Sequence, residues 1–307
     1  MPLCVLTLIA AEPAQDKIAS AATEARRALA RLGARVQEAD WLAPAGACDI
    51  AFDGLDPDQA DAAARNALGG AFGPLAVDLV AQEAGGRRKR LLVADMESTI
   101  IANEMLDEIG DLLGLGERIS EITRRAMNGE IDFAAALTER VALLKDQPAS
   151  LLEEARRRIR VTPGAAALVA TMRANGAYAA LVSGGFRIYT EPVGAALGFD
   201  VAIANEIEIA DGKLTGTVRQ PILTRDAKLA TLKRLAAERG LPLSQTLAVG
   251  DGANDLPMIE AAGLGIAYHG KPAVAARARV RIDHADLTAL LYAQGYRQAE
   301  IVPGAQL

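Results

Sequence analysis

The chain has 307 residues, a formal net charge of −6 and two cysteines, Cys4 and Cys48. That length is about twice a usual domain, so two or three folding units are expected, each with its own core. The acidic balance argues against a non-specific nucleic-acid binder, which needs a basic face to replace counterions, and two cysteines make neither a disulfide framework nor a zinc cluster.

The amino terminus, MPLCVLTLIAAEP, has no basic residue ahead of its apolar run and is a poor signal peptide. No apolar run approaches the ~20 residues of a membrane span. The expectation is a cytoplasmic protein with no membrane and no nucleic-acid partner.

CVLTLIA reads as a short apolar strand. From Asp16 to Leu32, Ile18, Ala22, Ala25, Leu29 and Leu32 recur at helical spacing, and Gly33 sits where the helix should stop. ARVQEADWL and DIAFDG read as strands, Asp56-Pro57 as the cap and first turn of a helix, and PLAVDLVAQ as a last strand. This is the βαββαβ order of a split βαβ unit over residues 1–85. Arg87-Arg88-Lys89-Arg90 after Gly85-Gly86 reads as a solvated linker.

LLVAD is an apolar strand ending in an acid. EMLDEIGDLL, ERISEITRRAM, DFAAALTERVALLK and PASLLEEARRRIR then show only helical patterning. Thr162-Pro163 is expected to cap the next helix, after which strands (AYAALVS, QTLAV, LGIAY, RVRI) alternate with helices, and EIEIADGKLTGTV reads as a hairpin on Asp211-Gly212. Residues 293–307 are expected to be a loosely held tail. The predicted architecture is α/β: a doubly wound parallel-sheet core (86–102 and 161–307), an inserted helical cap (103–160) and a small α+β domain in front.

Ligands of an open α/β sheet bind beyond the carboxyl ends of its strands. The apolar strands here end in Asp95, in Ser183-Gly184-Gly185 and in Gly250-Asp251-Gly252-Ala253-Asn254-Asp255, with Lys228 on a helix between the last two. Carboxylates beside a cation and glycine-bearing turns fit a site for Mg²⁺ and a phosphoryl group. Taken singly, Asp95 also reads as a loop-starting acid, SGGF as a plain turn and Lys228 as a solvated helix residue. GDGANDLP is harder to dismiss, because its crowded acids need a cation.

Asp95-Met96-Glu97-Ser98-Thr99, Ser183-Gly184-Gly185-Phe186, Lys228 and Gly250 to Asp255 resemble the four motifs of the haloacid dehalogenase superfamily. LVSGGF, ANEIEIADGKLTG and AVGDGANDLPMIEAAGLGIAYHGKPAV resemble its phosphoserine phosphatase family. The resemblance spans about residues 90–292. It implies hydrolysis of phosphoserine through an aspartyl-phosphate on Asp95, with Mg²⁺ held by Asp95, the backbone carbonyl of Glu97 and Asp251, and Asp255 behind them or bound through water. It also implies that Lys228, Ser183 and Gly184 hold phosphoryl oxygens, and that Ser98, Thr99 and Asn254 line the pocket. In the inserted helices it maps Glu104 onto the substrate ammonium, Arg140 onto the carboxylate, and Met127 and Phe133 onto an apolar lid. Read without it, Met127 and Phe133 are core residues and Glu104 and Arg140 are surface ones.

One position departs from the pattern. The second acid, which protonates the leaving oxygen and later activates water, is usually Asp and is Glu97 here. Its extra methylene adds ~1.5 Å of reach, where misplacement of ~1 Å can cost about a hundredfold. Glu97 must fold back, or the backbone must retreat. Two other readings stay open: a phosphatase for another small phosphomonoester such as phosphohomoserine, or a catalytically weak regulatory protein that binds an amino acid. The first 85 residues resemble, in element order, the ACT-like regulatory domains, which suggests a homodimer paired through Cys4-bearing edge strands.

Overall fold

A computed structural model describes residues 2–71, 76–127 and 130–305. The amino-terminal elements are β1 (Cys4–Ala10), α1 (Gln15–Arg31), β2 (Arg35–Ala43), β3 (Ala47–Asp53), α2 (Pro57–Ala71) and β4 (Val77–Glu83). The strands form an antiparallel sheet in the order β2-β3-β1-β4. Because successive side chains alternate faces, Cys4, Leu6 and Leu8 meet Ile18, Ala22 and Leu29 of α1, while Ile9 joins the core of the rest of the chain. A strand buried on both faces carries apolar residues on both, which is why CVLTLIA lacks alternation, and its one polar side chain, Thr7, is hydrogen-bonded. Asp56 caps α2 as expected, accepting the Gln59 N–H at 2.9 Å.

The larger unit begins with β5 (Leu91–Ala94) and four inserted helices, α3 (Met105–Leu113), α4 (Gly116–Met127), α5 (Phe133–Ala142) and α6 (Ser150–Arg156). It continues through α7 (Ala165–Ala174), β6 (Tyr178–Phe186), α8 (Arg187–Leu197), β7 (Val201–Asn205) and the hairpin β8 (Ile207–Ala210) with β9 (Lys213–Val218). The chain then runs α9 (Arg225–Glu238), β10 (Thr246–Gly250), α10 (Leu256–Ala261), β11 (Leu264–Tyr268), α11 (Pro272–Ala275), β12 (Val280–Ile282) and α12 (Ala289–Ala293). Six parallel strands lie in the order β12-β11-β10-β5-β6-β7. The chain builds outward from β5 to β7, then returns to β10 and builds the other way. The order therefore reverses between β5 and β10, the switch point beyond whose carboxyl ends such sheets form their ligand-binding crevice. The hairpin turns on Asp211-Gly212, both at positive φ as a two-residue hairpin loop demands. Among the described residues no helix is long and apolar enough to cross a membrane.

Several expectations are corrected. Thr162 does not cap α7. The helix starts after Gly164, at φ +82°, where a Cβ would lie 2.5 Å from the Thr288 nitrogen and only glycine fits. The basic stretch is solvated only at Arg88 and Arg90; Arg87 pairs with buried Asp49, and the buried Lys89 donates to the carbonyls of Gly86 and Ser244 at 3.0 and 2.9 Å. Residues 293–305 are likewise not a loose tail. Tyr296 is buried, Arg297 pairs with Asp40 at 2.6 Å, and the Val302 N–H reaches Thr171 Oγ1 at 2.9 Å. Cys4 lies on an interior strand, so it cannot sit on a pairing edge. SGGF is no separate turn but the end of β6, where the register with β7 jumps from Val182 to Phe186.

The two units are joined through side chains. The buried Asp78 carboxylate of β4 accepts the N–H groups of Asp283, His284 and Ala285 at 2.7, 3.2 and 2.8 Å. Thr7 Oγ1 donates to Asp49 at 2.7 Å beside the Arg87 pair.

Candidate active site

The crevice gathers the polar strand ends. Asp95 follows β5, Ser183 and Gly184 end β6, and Asp251 follows β10, so neighbouring strands deliver all of them to one edge. Lys228 comes from the first turn of α9. Its Nζ lies 2.7 Å from Asp95 Oδ1 and 2.6 Å from Asp255 Oδ1, and all three groups are buried. Asp95 Oδ1 also accepts the Met96 N–H at 2.7 Å. One Asp95 oxygen is therefore held, and among the described residues no donor engages Oδ2.

Asp255 is fixed from both sides, since its Oδ2 accepts the Gly252 N–H at 3.0 Å. Carboxylate oxygens of Asp95, Asp251 and Asp255 all lie within 4.8 Å of one another. Three buried acids so close repel strongly. Burial first, and the Asp255 charge second, push the Asp95 carboxyl well above its ordinary range. Burial likewise raises Asp251. An all-oxygen donor set with surplus negative charge fits a hard divalent cation.

Glu97 folds forward. Its Oε1 accepts the Met105 N–H, the first of α3, at 3.0 Å. Burial, then the neighbouring Glu104, push its carboxyl up to about 8. A Cβ at Gly185 would sit 2.8 Å from Glu97 Oε2, so the long acid lies against bare backbone. Ser98, at φ +54°, donates its hydroxyl to Glu104 Oε1 at 2.8 Å. Thr99 Oγ1 is buried without a partner among the described residues.

The inserted helices face this crevice. Phe133, first in α5, lies over Gly184, where a Cβ would be 2.8 Å from its Cζ. Arg140, on the same helix, is largely desolvated, which lowers its pKa, and it feels the opposing charges of Glu97, Asp107 and Glu104. Met127 ends α4, and its side chain lies outside the described residues. Asn254 Oδ1 folds over Gly252, where a Cβ would lie 2.4 Å from it.

Sequence reasoning missed four contributors. Gly185 was quoted only as part of a motif, though Glu97 rests on it. Asn205, at the end of β7, donates to the Gly184 carbonyl at 2.8 Å and accepts the Leu223 N–H at 2.7 Å, fixing the SGG segment. Asp107 stands near Arg140. Lys271 pairs with Asp251 at 3.0 Å. Asn205 and Lys271 lie in the family-like strings ANEIEIADGKLTG and AVGDGANDLPMIEAAGLGIAYHGKPAV, but nothing local gives them a role, because each reaches the site from a distant element.

The haloacid dehalogenase-like hydrolase profile matches residues 92–260. A phosphoserine phosphatase of Streptococcus thermophilus is 48% identical over 199 residues, 65% of this chain and 93% of that protein. A phosphoserine phosphatase of Streptomyces coelicolor is 40% identical over 260 residues, 84% of this chain; the match spans 62% of that protein's length. The solved structure of a HAD family hydrolase from Salmonella enterica serovar Typhi superposes with a TM-score of 0.81 at 29% identity, covering 94% of this chain and 97% of that one. The chain belongs to the haloacid dehalogenase-like hydrolases, among the phosphoserine phosphatases.

Proposed function

We infer that the chain hydrolyses O-phospho-L-serine to L-serine and phosphate through an aspartyl-phosphate, with Mg²⁺ as cofactor. The observation that carries this is the state of Asp95: one oxygen is locked by Lys228 and the Met96 N–H, and among the described residues no donor engages the other. Asp95 Oδ2 attacks phosphorus as the bond to the serine oxygen breaks, and protonated Glu97 gives that oxygen its proton. Water then attacks phosphorus, Glu97 takes its proton, and the bond to Asp95 breaks to release phosphate. A carboxyl pushed up to about 8 carries the proton at neutral pH, as the first step requires.

Lys228 offsets charge on the phosphoryl oxygens. Ser183 accepts the Gly185 N–H at 2.9 Å, which leaves its hydroxyl proton to donate to one of them, with the Gly184 N–H meeting another. Asp95, Asp251 and the carbonyl of Glu97 would hold Mg²⁺, with Asp255 behind them; when bound it supplies the positive charge that lets a carboxylate meet a phosphate dianion.

Glu104 would receive the substrate ammonium and Arg140 its carboxylate, under a lid of Phe133 and Met127. The position of Phe133 over Gly184 supports reading residues 103–160 as a cap on a core formed by 86–102 and 161–307. Residues 1–85, with their βαββαβ order, read as an ACT-like unit. The test is phosphate release from O-phospho-L-serine with Mg²⁺ and with EDTA. Fast release that EDTA abolishes is expected. Folded, metal-loaded protein that releases no phosphate would overturn the assignment.

A further inference from the structure

Lys271 belongs to none of the four motifs. It lies between β11 and α11, half-exposed, with Nζ 3.0 Å from Asp251 Oδ2 and 3.8 Å from Glu104 Oε1. Its backbone is fixed too. The Lys271 N–H donates to the Asp251 carbonyl at 2.9 Å, and its own carbonyl accepts the N–H groups of Val274 and Ala275 at 2.8 and 3.0 Å. The ammonium is thus delivered to a set place rather than carried on a free loop.

The two acids it joins do different work. Asp251 belongs to the acid cluster that fits a divalent cation. Glu104 opens the inserted helices and is steadied by Ser98. Lys271 stands between them, where a cation drawn to either carboxylate would compete with its ammonium.

We propose that Lys271 is a positioning residue and internal counter-cation, holding between Asp251 and Glu104 the place that a divalent metal and a primary ammonium take over. The ammonium half rests on the phosphoserine reading; the metal half needs only the acid cluster. A cation beside a carboxylate weakens that carboxylate's attraction for a second cation. Lys271 therefore lowers the site's metal affinity while shielding the two acids from each other until ligands arrive.

The test is calorimetric titration of Mn²⁺ and of Mg²⁺ into the parent, Lys271→Met and Lys271→Arg, with no substrate present. The Met variant is expected to bind metal about tenfold more tightly, by a margin that shrinks with added salt, and the Arg variant to match the parent. Unchanged or weaker binding in the Met variant overturns the proposal. The second arm compares KM for O-phospho-L-serine with KM for phosphoglycolate, which has no amine. A fall for phosphoserine alone supports the Glu104 half, and an equal change for both esters overturns it. A parent that binds metal yet leaves phosphoserine intact would sink the functional reading, while the metal titration would still decide the role of Lys271.

Discussion

Glu97 Oε1 accepts the backbone N–H of Met105 at 3.0 Å, so the acid two residues after Asp95 also caps the amino end of α3. The extra methylene relative to Asp has a place to go: forward over Gly185 and onto the inserted helices. The reach that made Glu97 a doubtful acid in the sequence is what lets one carboxyl touch both the core and the insert.

The same geometry links residues 97 and 185. Glu97→Asp shortens the side chain by ~1.5 Å and releases the Met105 N–H, so kcat should fall by roughly tenfold to a hundredfold. Gly185→Ala forces a Cβ to within 2.8 Å of the Glu97 carboxylate and should cost a comparable loss. In the double variant the clash is relieved, so the two losses should not add. Steady-state kinetics of the four proteins checks this. Strict additivity would mean the two side chains do not meet.

The Glu97 carboxyl, raised from 4.5 to about 8, also sets a pH dependence of stability. Between those values the unfolded chain has released a proton that the folded one keeps, so this group's contribution declines as pH rises from about 4.5 through 8. Glu97→Gln removes the titration. In EDTA, the Gln variant should gain on the parent by more than ~1 kcal/mol between pH 5 and pH 8, followed by urea unfolding. A gap that stays flat with pH would refute the shift.

Lys228 is the buried cation between two buried acids. Lys228→Met leaves Asp95 and Asp255 facing each other uncompensated. Breaking such a pair typically costs ~3–5 kcal/mol, so the metal-free variant should unfold at clearly lower urea. Turnover should vanish as well. Retained stability in EDTA would show that the acids are neutral without the lysine.

Asp78 holds three N–H groups of residues 283–285 from across the unit boundary. Asp78→Ala orphans all of them and should cost ~1–3 kcal/mol. Hydrogen exchange should quicken at Asp283, His284 and Ala285 and spare β5 and β10. Unaltered exchange at 283–285 would show that water replaces the carboxylate without loss.

Much of the fold was legible because its signals are local. Leu91 to Ala94 is an apolar run stopped by an acid, and Asp211-Gly212 is a turn whatever surrounds it. The errors fell where a distant partner decides. Arg87 and Lys89 look solvated until Asp49 and the Ser244 carbonyl are brought to them. Tyr296 looks like part of a tail until the core closes over it.

By itself the sequence determined the elements, the strand-end acids and the family, because side-chain periodicity and the residue at which an apolar strand stops are properties of short stretches. Only the tertiary structure decided the reversal of strand order between β5 and β10, the direction in which Glu97 folds, and the meeting of Lys271 with Asp251 and Glu104. Those depend on segments far apart in the chain packing into one crevice, where burial and opposite charge, rather than spacing, select the partners.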